Sequence, residues 1–516
     1  MSLLYTINLG SMIRRTAHKE PGLAALVSHE GTPLTYGELD RLSNCFADSL
    51  IRMGFGKGDH LATLALNCNE LLIAFFGIFK MGGLMVPINV RLAPLEMAWI
   101  LDHSETSALV YSRDFEKTVG AIRPRLPKVR SFMMFEEPAS PETAGFQAIL
   151  QEGKDEFPSL EILGDDEAMI VYTAGTTGRP KGVLLTHNSI IWNCINWAHT
   201  GTFRSGDRVL QVFPLYHVAA IGNVFTNFYL GATIYLKKIF DPKDCLETIQ
   251  REKITRWGAA PTVFNMLLQT PEVDRYETNS VTLLGSGAAI MPVETSRRLK
   301  EIFPKARIFD NYGMTEASGG ITTLSPEDSP RKTACVGQPL IGLEMRVINE
   351  QGEDQAPGEI GEVVFRGNNL MKSYYKDSEA TEEAIRGGWM HTGDLGRLDE
   401  EGFLYIVDRK KDMIITGAEN VFPREVEEIL YLHPKIAEAA VIGVPDPKWG
   451  EAIKAVVTLK AGESASPEEI IGFCRQQIAG FKCPKSVDFI EALPKNPAGK
   501  ILKRVLREQY GKSVTY

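Results

Sequence analysis

The stretch AMIVYTAGTTGRPKG, residues 168–182, decides the fold class of this chain. Its first five residues are apolar and predict a short buried strand. The next ten residues, 173–182, carry three glycines, three threonines and a lysine. Glycines let backbone amides converge on an anion, while threonine hydroxyls and Lys181 add donors and a positive charge. The loop is not a Walker A motif, because Pro180 precedes Lys181. A strand that ends in such a loop indicates a polyphosphate site.

Short apolar runs alternate with amphipathic stretches downstream of this loop. A helix is expected at 243–252, after an Asp241–Pro242 start signal, and another begins near Pro292. Strands separated by helices predict a parallel sheet with helical crossovers, so residues 20–325 are expected to be α/β. The runs that predict further strands are 210–213, 232–236, 254–257, 281–284 and 307–309.

The pattern changes after residue 330. Alternating runs and Gly-containing turns within 335–367 predict a small antiparallel, β-barrel-like unit. Beyond the charged segment DRKK at 408–411 a compact α+β unit is expected. We therefore divide the chain into a large N-terminal domain, residues 1–407, and a smaller C-terminal domain, residues 408–516. The elements predicted in the second domain are a helix at 423–432, strands at 437–444 and 453–459, and a helix opened by a capping box at 466–469.

Composition narrows the class of protein. The 516 residues are 44% hydrophobic and 23% charged, as in soluble globular proteins, and the net charge of −9 argues against a nucleic-acid binder. The seven cysteines form no CxxC pair, which predicts reduced thiols instead of disulfides or a zinc ribbon. Apolar stretches 71–90 and 218–236 are interrupted by polar residues or glycines and are interpreted as core elements. With no signal peptide recognised at residues 1–22, we expect a cytoplasmic protein without an integral membrane segment.

Four further motifs follow the loop. NYGMTE, 311–316, places an aromatic ring, a hydroxyl and a carboxylate after a predicted strand, and Glu316 could hold Mg²⁺ together with phosphate oxygens. HTGDL, 391–395, offers a turn aspartate, while DRKKDMIITGAENVFPREVE, 408–427, and PKNPAGKILK, 494–503, are charged loops. Taken singly, each is more typical of a turn or a solvated face than of a binding site.

Together, in this order and spacing, the five stretches resemble the adenylate-forming superfamily of acyl-CoA synthetases, luciferases and peptide-synthetase adenylation domains. The resemblance covers residues 20–505. It implies an AMP-forming acyl-CoA ligase that uses ATP, Mg²⁺ and coenzyme A. A carboxylic acid becomes an acyl-adenylate, pyrophosphate leaves, and the CoA thiol takes the acyl group. The small domain is expected to be mobile and to rotate about a hinge at Asp408 between the half-reactions.

The resemblance also implies residue roles. Catalytic residues would be Lys500, Thr315, Glu316 and His217, with Thr315 at the α-phosphate and Glu316 as the metal ligand. Tyr312 would stack on adenine, and Asp394 and Arg409 would contact the ribose. The remaining ATP and AMP contacts would be Thr173, Gly175, Thr176, Thr177, Gly178, Lys181, Gly287, Ala288, Ala289, Asn311 and Gly313.

The acyl pocket is expected around His217. None of its expected residues is charged, and the acidic residue that amino-acid-activating relatives keep near Ala219 is missing, so we expect an apolar acid of medium-chain, branched, alicyclic or aryl type. The pocket residues are Tyr216, His217, Val218, Ala219, Ala220, Ala259, Gly285 and Met314. Gly417 and Ala418 would line the CoA tunnel, where relatives often have two glycines, and Ala174 replaces the usual serine of the phosphate loop.

Two alternatives stay open at this point. An adenylating enzyme could pass the acyl group to a carrier-protein phosphopantetheine or another acceptor. A catalytically silent nucleotide-binding or scaffold protein is disfavoured by the intact Lys181, Glu316, Asp394 and Lys500. No sequence feature speaks to the oligomeric state.

Overall fold

The structure is a computed structural model that describes residues 8–28, 33–173, 180–287, 291–416, 419–495 and 501–510. Its α-helices are α1 Arg14–Lys19, α2 Tyr36–Arg52, α3 Asn69–Lys80, α4 Pro94–His103, α5 Glu116–Ile122, α6 Phe146–Glu152, α7 His187–His199, α8 Val218–Leu230, α9 Pro242–Glu252, α10 Pro261–Leu268, α11 Val293–Ile302, α12 Ser378–Ala384, α13 Pro423–Tyr431, α14 Pro467–Arg475 and α15 Lys503–Tyr510.

The strands are β1 Ala24–Val27, β2 Pro33–Thr35, β3 His60–Leu64, β4 Leu84–Pro87, β5 Ala108–Tyr111, β6 Ser131–Met134, β7 Ala144–Gly145, β8 Glu167–Thr173, β9 Lys181–Thr186, β10 Arg208–Gln211, β11 Thr233–Leu236, β12 Arg256–Ala259, β13 Leu283–Ser286, β14 Arg307–Tyr312, β15 Thr322–Leu324, β16 Gln338–Pro339, β17 Leu343–Ile348, β18 Gly361–Gly367, β19 Ser373–Tyr374, β20 Ile385–Arg386, β21 Trp389–Leu398, β22 Leu404–Arg409, β23 Ile414–Thr416, β24 Glu419–Val421, β25 Ile436–Asp446, β26 Gly450–Leu459 and β27 Ser486–Phe489.

Two large, mainly parallel sheets form the body. The first sheet runs in the order β16–β15–β14–β13–β12–β10–β11–β1–β2, and its strands from β14 to β1 are parallel. The second sheet runs in the order β19–β9–β8–β4–β3–β5–β6–β7 and is parallel from β8 to β7. The parallel sheet with helical crossovers predicted from the sequence is confirmed.

Helices lie between the two sheets and on their outer faces. The inner core joins both sheets through α3 and α8, whose Phe76 and Phe225 rings lie 5.9 Å apart. A second cluster covers the outer face of the β3–β4–β5 sheet with residues of α4 and α5. A third covers the outer face of the β10–β14 sheet with residues of α9, α10 and α11. The apolar stretches 71–90 and 218–236 therefore supply buried core, as interpreted.

Several strands begin about two residues later or earlier than predicted. Strand β12 is Arg256–Ala259 instead of 254–257, β13 is Leu283–Ser286 instead of 281–284, and β10 starts earlier, at Arg208. Ile254 and Val281 are fully buried although they precede the paired residues of their strands. An apolar run in the sequence marks buried residues, and buried residues also occur in the connection that leads into a strand. The apolar runs therefore did not mark the residues that are paired in β12 and β13.

The antiparallel unit expected after residue 330 is a small sheet in the order β17–β18–β21–β20, with β22 paired to β21. Its predicted turns contain Gly352 and Gly358 with φ of 83° and 90°, a conformation that glycine adopts without strain.

Residues 414–510 build a separate sheet, in the order β24–β23–β26–β25 with β27 beside β26, together with α13, α14 and α15. Helix α14 starts as predicted, because the Ser466 side chain accepts the Glu469 N–H at 3.2 Å. The Glu469 carboxylate lies 2.8 Å from Lys435 Nζ. This part of the chain has its own core, which confirms its α+β character.

Within the described ranges, every helix is too short or too polar to cross a lipid bilayer.

A buried lysine ties α2 to α3. Lys80 is fully buried, and its ammonium donates to Asp40 Oδ1 at 2.6 Å, Asn44 Oδ1 at 2.7 Å and Ser43 Oγ at 2.8 Å. Burial lowers the pKa of Lys80 to about 8, an effect that the Asp40 carboxylate opposes. A buried ammonium needs such partners, because isolated charges are very costly in a core. The cluster therefore fixes the register of the two helices.

We expect the Lys80→Met variant to lose about 3 kcal/mol of unfolding free energy, because it leaves the Asp40 carboxylate without its cation. Urea denaturation followed by circular dichroism measures the change. The control is Lys57→Met, whose lysine forms an exposed ion pair with Asp166, and which should cost less than about 1 kcal/mol. Equal losses in the two variants would contradict this role for Lys80.

Candidate active site

The predicted nucleotide residues lie at the carboxyl ends of parallel strands, where α/β sheets usually bind ligands. Gly287 follows β13, and Asn311 and Tyr312 end β14. Thr315 and Glu316 form a 3-10 turn just beyond. Lys181 starts β9, the strand that returns from the phosphate loop.

Tyr312, Asp394 and Arg409 meet although they come from three strands. The Tyr312 hydroxyl donates to Asp394 Oδ2 at 2.6 Å, and Arg409 Nε lies 3.2 Å from Asp394 Oδ1. The Asp394 backbone N–H donates to Thr392 Oγ1 at 3.1 Å. Burial and the adjacent carboxylate raise the pKa of Tyr312, so the phenol stays a donor. Asp394 is thus held in one orientation, with carboxylate oxygens as acceptors for hydroxyl groups.

Two glycines are required by close backbone contacts. A Cβ on Gly287 would lie 2.5 Å from Asn311 Oδ1, and a Cβ on Gly313 would lie 2.0 Å from the Gly319 carbonyl oxygen. Asn311 donates to the Ser286 carbonyl at 2.6 Å. A side chain at Gly287 would displace the Asn311 amide, and one at Gly313 would require backbone movement, so β13, β14 and the following turn stay closely packed.

Glu316 is a buried carboxylate, only 8% exposed. Its Oε1 accepts the Tyr374 hydroxyl at 2.7 Å, and its backbone carbonyl accepts the Met371 N–H at 2.7 Å. Burial raises the pKa of Glu316, while the Tyr374 hydrogen bond and the charges of Arg409 and Lys181 oppose the rise. A carboxylate fixed through one oxygen keeps a second oxygen for a cation, so Glu316 fits a Mg²⁺ ion that also binds phosphate oxygens.

Tyr374 is a residue that the sequence reasoning missed. It lies on β19, which pairs with β9, and the Lys181 ammonium lies 4.9 Å from the centre of its ring. The tyrosine therefore contacts both Glu316 and the lysine of the phosphate loop. The segment around it, MKSYYK, has no motif that marks it, and 58 residues separate it from Glu316.

His217 caps the N-terminus of α8. Its Nδ1 accepts the Ala219 N–H at 3.2 Å. In the neutral ring this bond assigns the proton to Nε2, so the side chain can donate from Nε2 to an anion. Residues of the first helical turn thereby fix the orientation of the imidazole.

The other residues predicted for the acyl pocket are placed in different surroundings. Val218 and Ala220 are buried in the inner core, whereas Ala219, Tyr216 and Met314 are half-buried, and Met314 packs against that core. Ala259 is buried in the cluster on the outer face of its sheet. Gly285 faces the inner side, where a Cβ would lie 2.4 Å from the Phe309 ring.

Gly258 is a second residue that the sequence reasoning missed. It pairs with Gly285 across β12 and β13, and a Cβ there would have only one neighbouring atom, 4.0 Å away. Gly258 therefore leaves open space on the inner face of β12, whereas the Phe309 ring fills the space at Gly285. Ala259 points to the opposite face of β12 from Gly258, because neighbours along a strand alternate between faces.

Asp408 joins the body to the C-terminal unit. Its Oδ2 accepts the N–H of Arg424 at 3.0 Å, at the start of α13, and its Oδ1 accepts the N–H of Arg409 at 2.7 Å. Thr173 donates to the Lys181 carbonyl at 3.4 Å. The remaining predicted site residues lie outside the described ranges: Gly175, Thr176, Thr177, Gly178, Ala288, Ala289, Gly417, Ala418 and Lys500.

Comparisons with known proteins identify the family of this chain. A family model described as AMP-binding enzyme matches residues 13–375, and one described as AMP-binding enzyme C-terminal domain matches residues 425–500. A long-chain-fatty-acid–CoA ligase of Mycobacterium tuberculosis is 38% identical, with 98% of this chain and 99% of the relative covered. A feruloyl-CoA synthase of an Amycolatopsis species is 37% identical at the same coverage.

Among solved structures, an anthranilate CoA ligase in complex with anthranoyl-AMP superposes with a TM-score of 0.93 and 26% identity over 100% of this chain and 99% of that one. All three relatives are named as CoA ligases or synthases, which does not favour transfer to a carrier protein. The chain belongs to the AMP-binding enzyme family, and within it is an AMP-forming acyl-CoA ligase.

Proposed function

We propose that this ligase activates an acid with an apolar carbon skeleton, and that the residues assigned above perform the two half-reactions. The convergence of Tyr312, Asp394 and Arg409 beside the buried Glu316 carries the proposal. These groups suit a nucleotide with its phosphates: an aromatic ring for the base, a carboxylate for the ribose, and a carboxylate for the metal.

In the first half-reaction a substrate carboxylate oxygen attacks the α-phosphorus of ATP, and the bond to pyrophosphate breaks. The reaction brings two anions together, so it needs cations and oriented donors. Thr315 would contact the α-phosphate, and Lys181 would contact the outer phosphates. His217 would donate a hydrogen bond from Nε2 to an anion at the site. Mg²⁺ held by Glu316 would supply positive charge at the phosphate oxygens.

In the second half-reaction the CoA sulfur attacks the acyl carbon, and AMP leaves. A different set of groups must then face the adenylate, which a rotation of residues 408–516 against residues 1–407 would provide. Asp408 suits a hinge, because it ends a strand of the body and accepts a backbone N–H of α13. Gly417 and Ala418 would line the path of the CoA arm.

The acid is of medium-chain, branched, alicyclic or aryl type in this proposal. The small Ala219 side chain and the open space at Gly258 leave room for carbon rather than for charge. The relatives named for long-chain fatty acid, ferulate and anthranilate include both alkyl and aryl acids. Chain length and ring content therefore have to be measured.

The cytoplasm is the compartment that we infer. All seven cysteines are free thiols, and six of them are buried. Unpaired cysteines are typical of a reducing compartment.

The function is tested with a panel of alkyl and aryl acids, assayed for pyrophosphate release with and without CoA. We expect at least one acid to give pyrophosphate and a CoA thioester. Pyrophosphate release with adenylate accumulation and no CoA-dependent thioester would overturn the CoA-ligase function.

The Lys500→Ala variant should lose adenylation by about 100-fold or more, because a cation at the α-phosphate disappears. It should largely keep thioester formation from a preformed acyl-adenylate. The matched control is Lys495→Ala, whose lysine pairs with Glu438 and which should keep both half-reactions. An equal loss of the two half-reactions in Lys500→Ala would contradict the rotation of the small domain.

The Tyr374→Phe variant should shift the acid limb of adenylation to higher pH. Burial already raises the pKa of Glu316 and the tyrosine hydroxyl opposes that rise, so removing the hydroxyl raises the pKa further. Protonated Glu316 cannot hold Mg²⁺, and activity on the acid side should fall by about tenfold.

The pH profile of pyrophosphate release, together with the Mg²⁺ concentration for half-maximal rate, measures this effect. Tyr375→Phe is the control, because that hydroxyl donates to Glu105 away from the site. A uniform loss at all pH values would assign Tyr374 a structural role only.

A further inference from the structure

A row of hydrogen-bonded polar side chains crosses the inner core beside α8. Asn223 Nδ2 donates to Gln211 Oε1 at 2.6 Å, Asn227 Nδ2 donates to Asn223 Oδ1 at 3.3 Å, and Arg256 Nη1 donates to Asn227 Oδ1 at 3.5 Å. We call Gln211, Asn223, Asn227 and Arg256 the polar row. It links the carboxyl end of β10, near His217, to the amino end of β12.

Arg256 ends the row as a buried cation. Its side chain is only 3% exposed, with the guanidinium 3.0 Å from the centre of the Phe203 ring and 5.7 Å from that of Phe309. Within the described ranges no carboxylate lies within ion-pair distance of it, and Asp207 is the acidic group that acts on its pKa. Burial lowers the pKa of Arg256 to about 9.

A guanidinium has five N–H donors, and the bond to Asn227 is long. Aromatic rings offset part of the cost of burying the charge but accept no strong hydrogen bond. Buried charges are normally paired. The guanidinium therefore retains the capacity to bind an oxygen acceptor.

The open space at Gly258 lies along this row. Arg256 and Gly258 share one face of β12, the face toward α8, because residues two apart along a strand point the same way. Gly258 and Asn223 are half-buried although they belong to the central strand and the central helix. A solvent-connected path thus reaches the middle of the row, and Arg256 lies farther in.

The depth of the space follows from element geometry. From Val218, beside His217, to Asn227 the rise of α8 is about 13 Å at 1.5 Å per residue. From the carboxyl end of β12 back to Arg256 the distance is about 10 Å at 3.3 Å per residue. An acyl group of that length would place its far end at the guanidinium.

We propose that Arg256 ends the acyl-binding space and selects acids that carry an oxygen acceptor at the end opposite the reacting carboxylate. This inference rests on the proposed acyl-CoA ligase function and adds to it. The carbon skeleton lies against glycines and alanine, and the terminal oxygen accepts from the guanidinium. Arg256 is thus a specificity-determining residue about 10 Å from the carboxyl end of β12.

The wild-type enzyme tests the proposal directly. Hexanoic to decanoic acids ending in a methyl, hydroxyl or carboxylate group, and phenylpropanoic acid with and without a para-hydroxyl, are compared by kcat/KM for CoA thioester formation. At least one oxygen-bearing acid should exceed its matched oxygen-free acid by about tenfold or more, because a buried donor left unpaired is costly. A preference for the oxygen-free acid in every pair would overturn the proposal. The hydroxyl and carboxylate acids distinguish a neutral from an anionic acceptor.

Variants of Arg256 test whether this residue causes the preference for oxygen-bearing acids. Arg256→Met should abolish the discrimination, mainly through a rise in KM for the oxygen-bearing acid, and Arg256→Lys should retain part of it. The control is Arg208→Met on neighbouring β10, whose guanidinium pairs with Glu252 at the surface and which should leave the ratio unchanged. If Arg256→Met lowers kcat/KM equally for both acids of a pair, Arg256 is structural and the proposal is wrong.

Failure of this proposal is distinguishable from failure of the function. If no acid gives a CoA thioester with the wild-type enzyme, the ligase proposal fails. If thioesters form without any preference for the terminal oxygen, only the role of Arg256 fails.

Discussion

The packing of α8 constrains the rest of the molecule. One side of this helix contacts α3 in the core shared by both sheets, and the other side faces β10 and β12. The N-terminus of α8 positions His217, and two members of the polar row, Asn223 and Asn227, lie along the helix. A shift of α8 would therefore change core packing, the imidazole and the acyl space together. Such a helix has little freedom, because interiors pack nearly as tightly as crystals.

The nucleotide residues show how separate sheets converge on one ligand. Tyr312 belongs to the first large sheet, Lys181 and Tyr374 to the second, and Asp394 and Arg409 to the small antiparallel sheet. The Tyr312–Asp394 hydrogen bond joins the first large sheet to the small sheet, and the Tyr374–Glu316 hydrogen bond joins the second large sheet to the turn after β14. These contacts hold residues of the proposed ATP site in place relative to one another, and a preorganised site has a lower entropy cost of binding.

The sequence predicted the architecture well for a definite reason. Strand, loop and helix signals are local, so the alternation of apolar runs identified the parallel sheets, and Asp241 and Ser466 marked real helix starts. Register is not local: an apolar run records burial, and the paired residues of β12 lie two positions later than the run that predicted them. No sequence motif marked Tyr374 or Arg256, because their roles depend on contacts with residues that are distant in the chain. The motifs identified Glu316, but not the Tyr374 hydroxyl that positions its carboxylate.

The cysteines have a consequence for the chemistry of the intermediate. An acyl-adenylate reacts with thiolates, and CoA is the intended nucleophile. Burial raises the pKa of all seven protein thiols. A protonated, enclosed thiol is a poor nucleophile. The fold thereby protects the enzyme from acylating itself during the interval between the two half-reactions, when the adenylate waits for its acceptor.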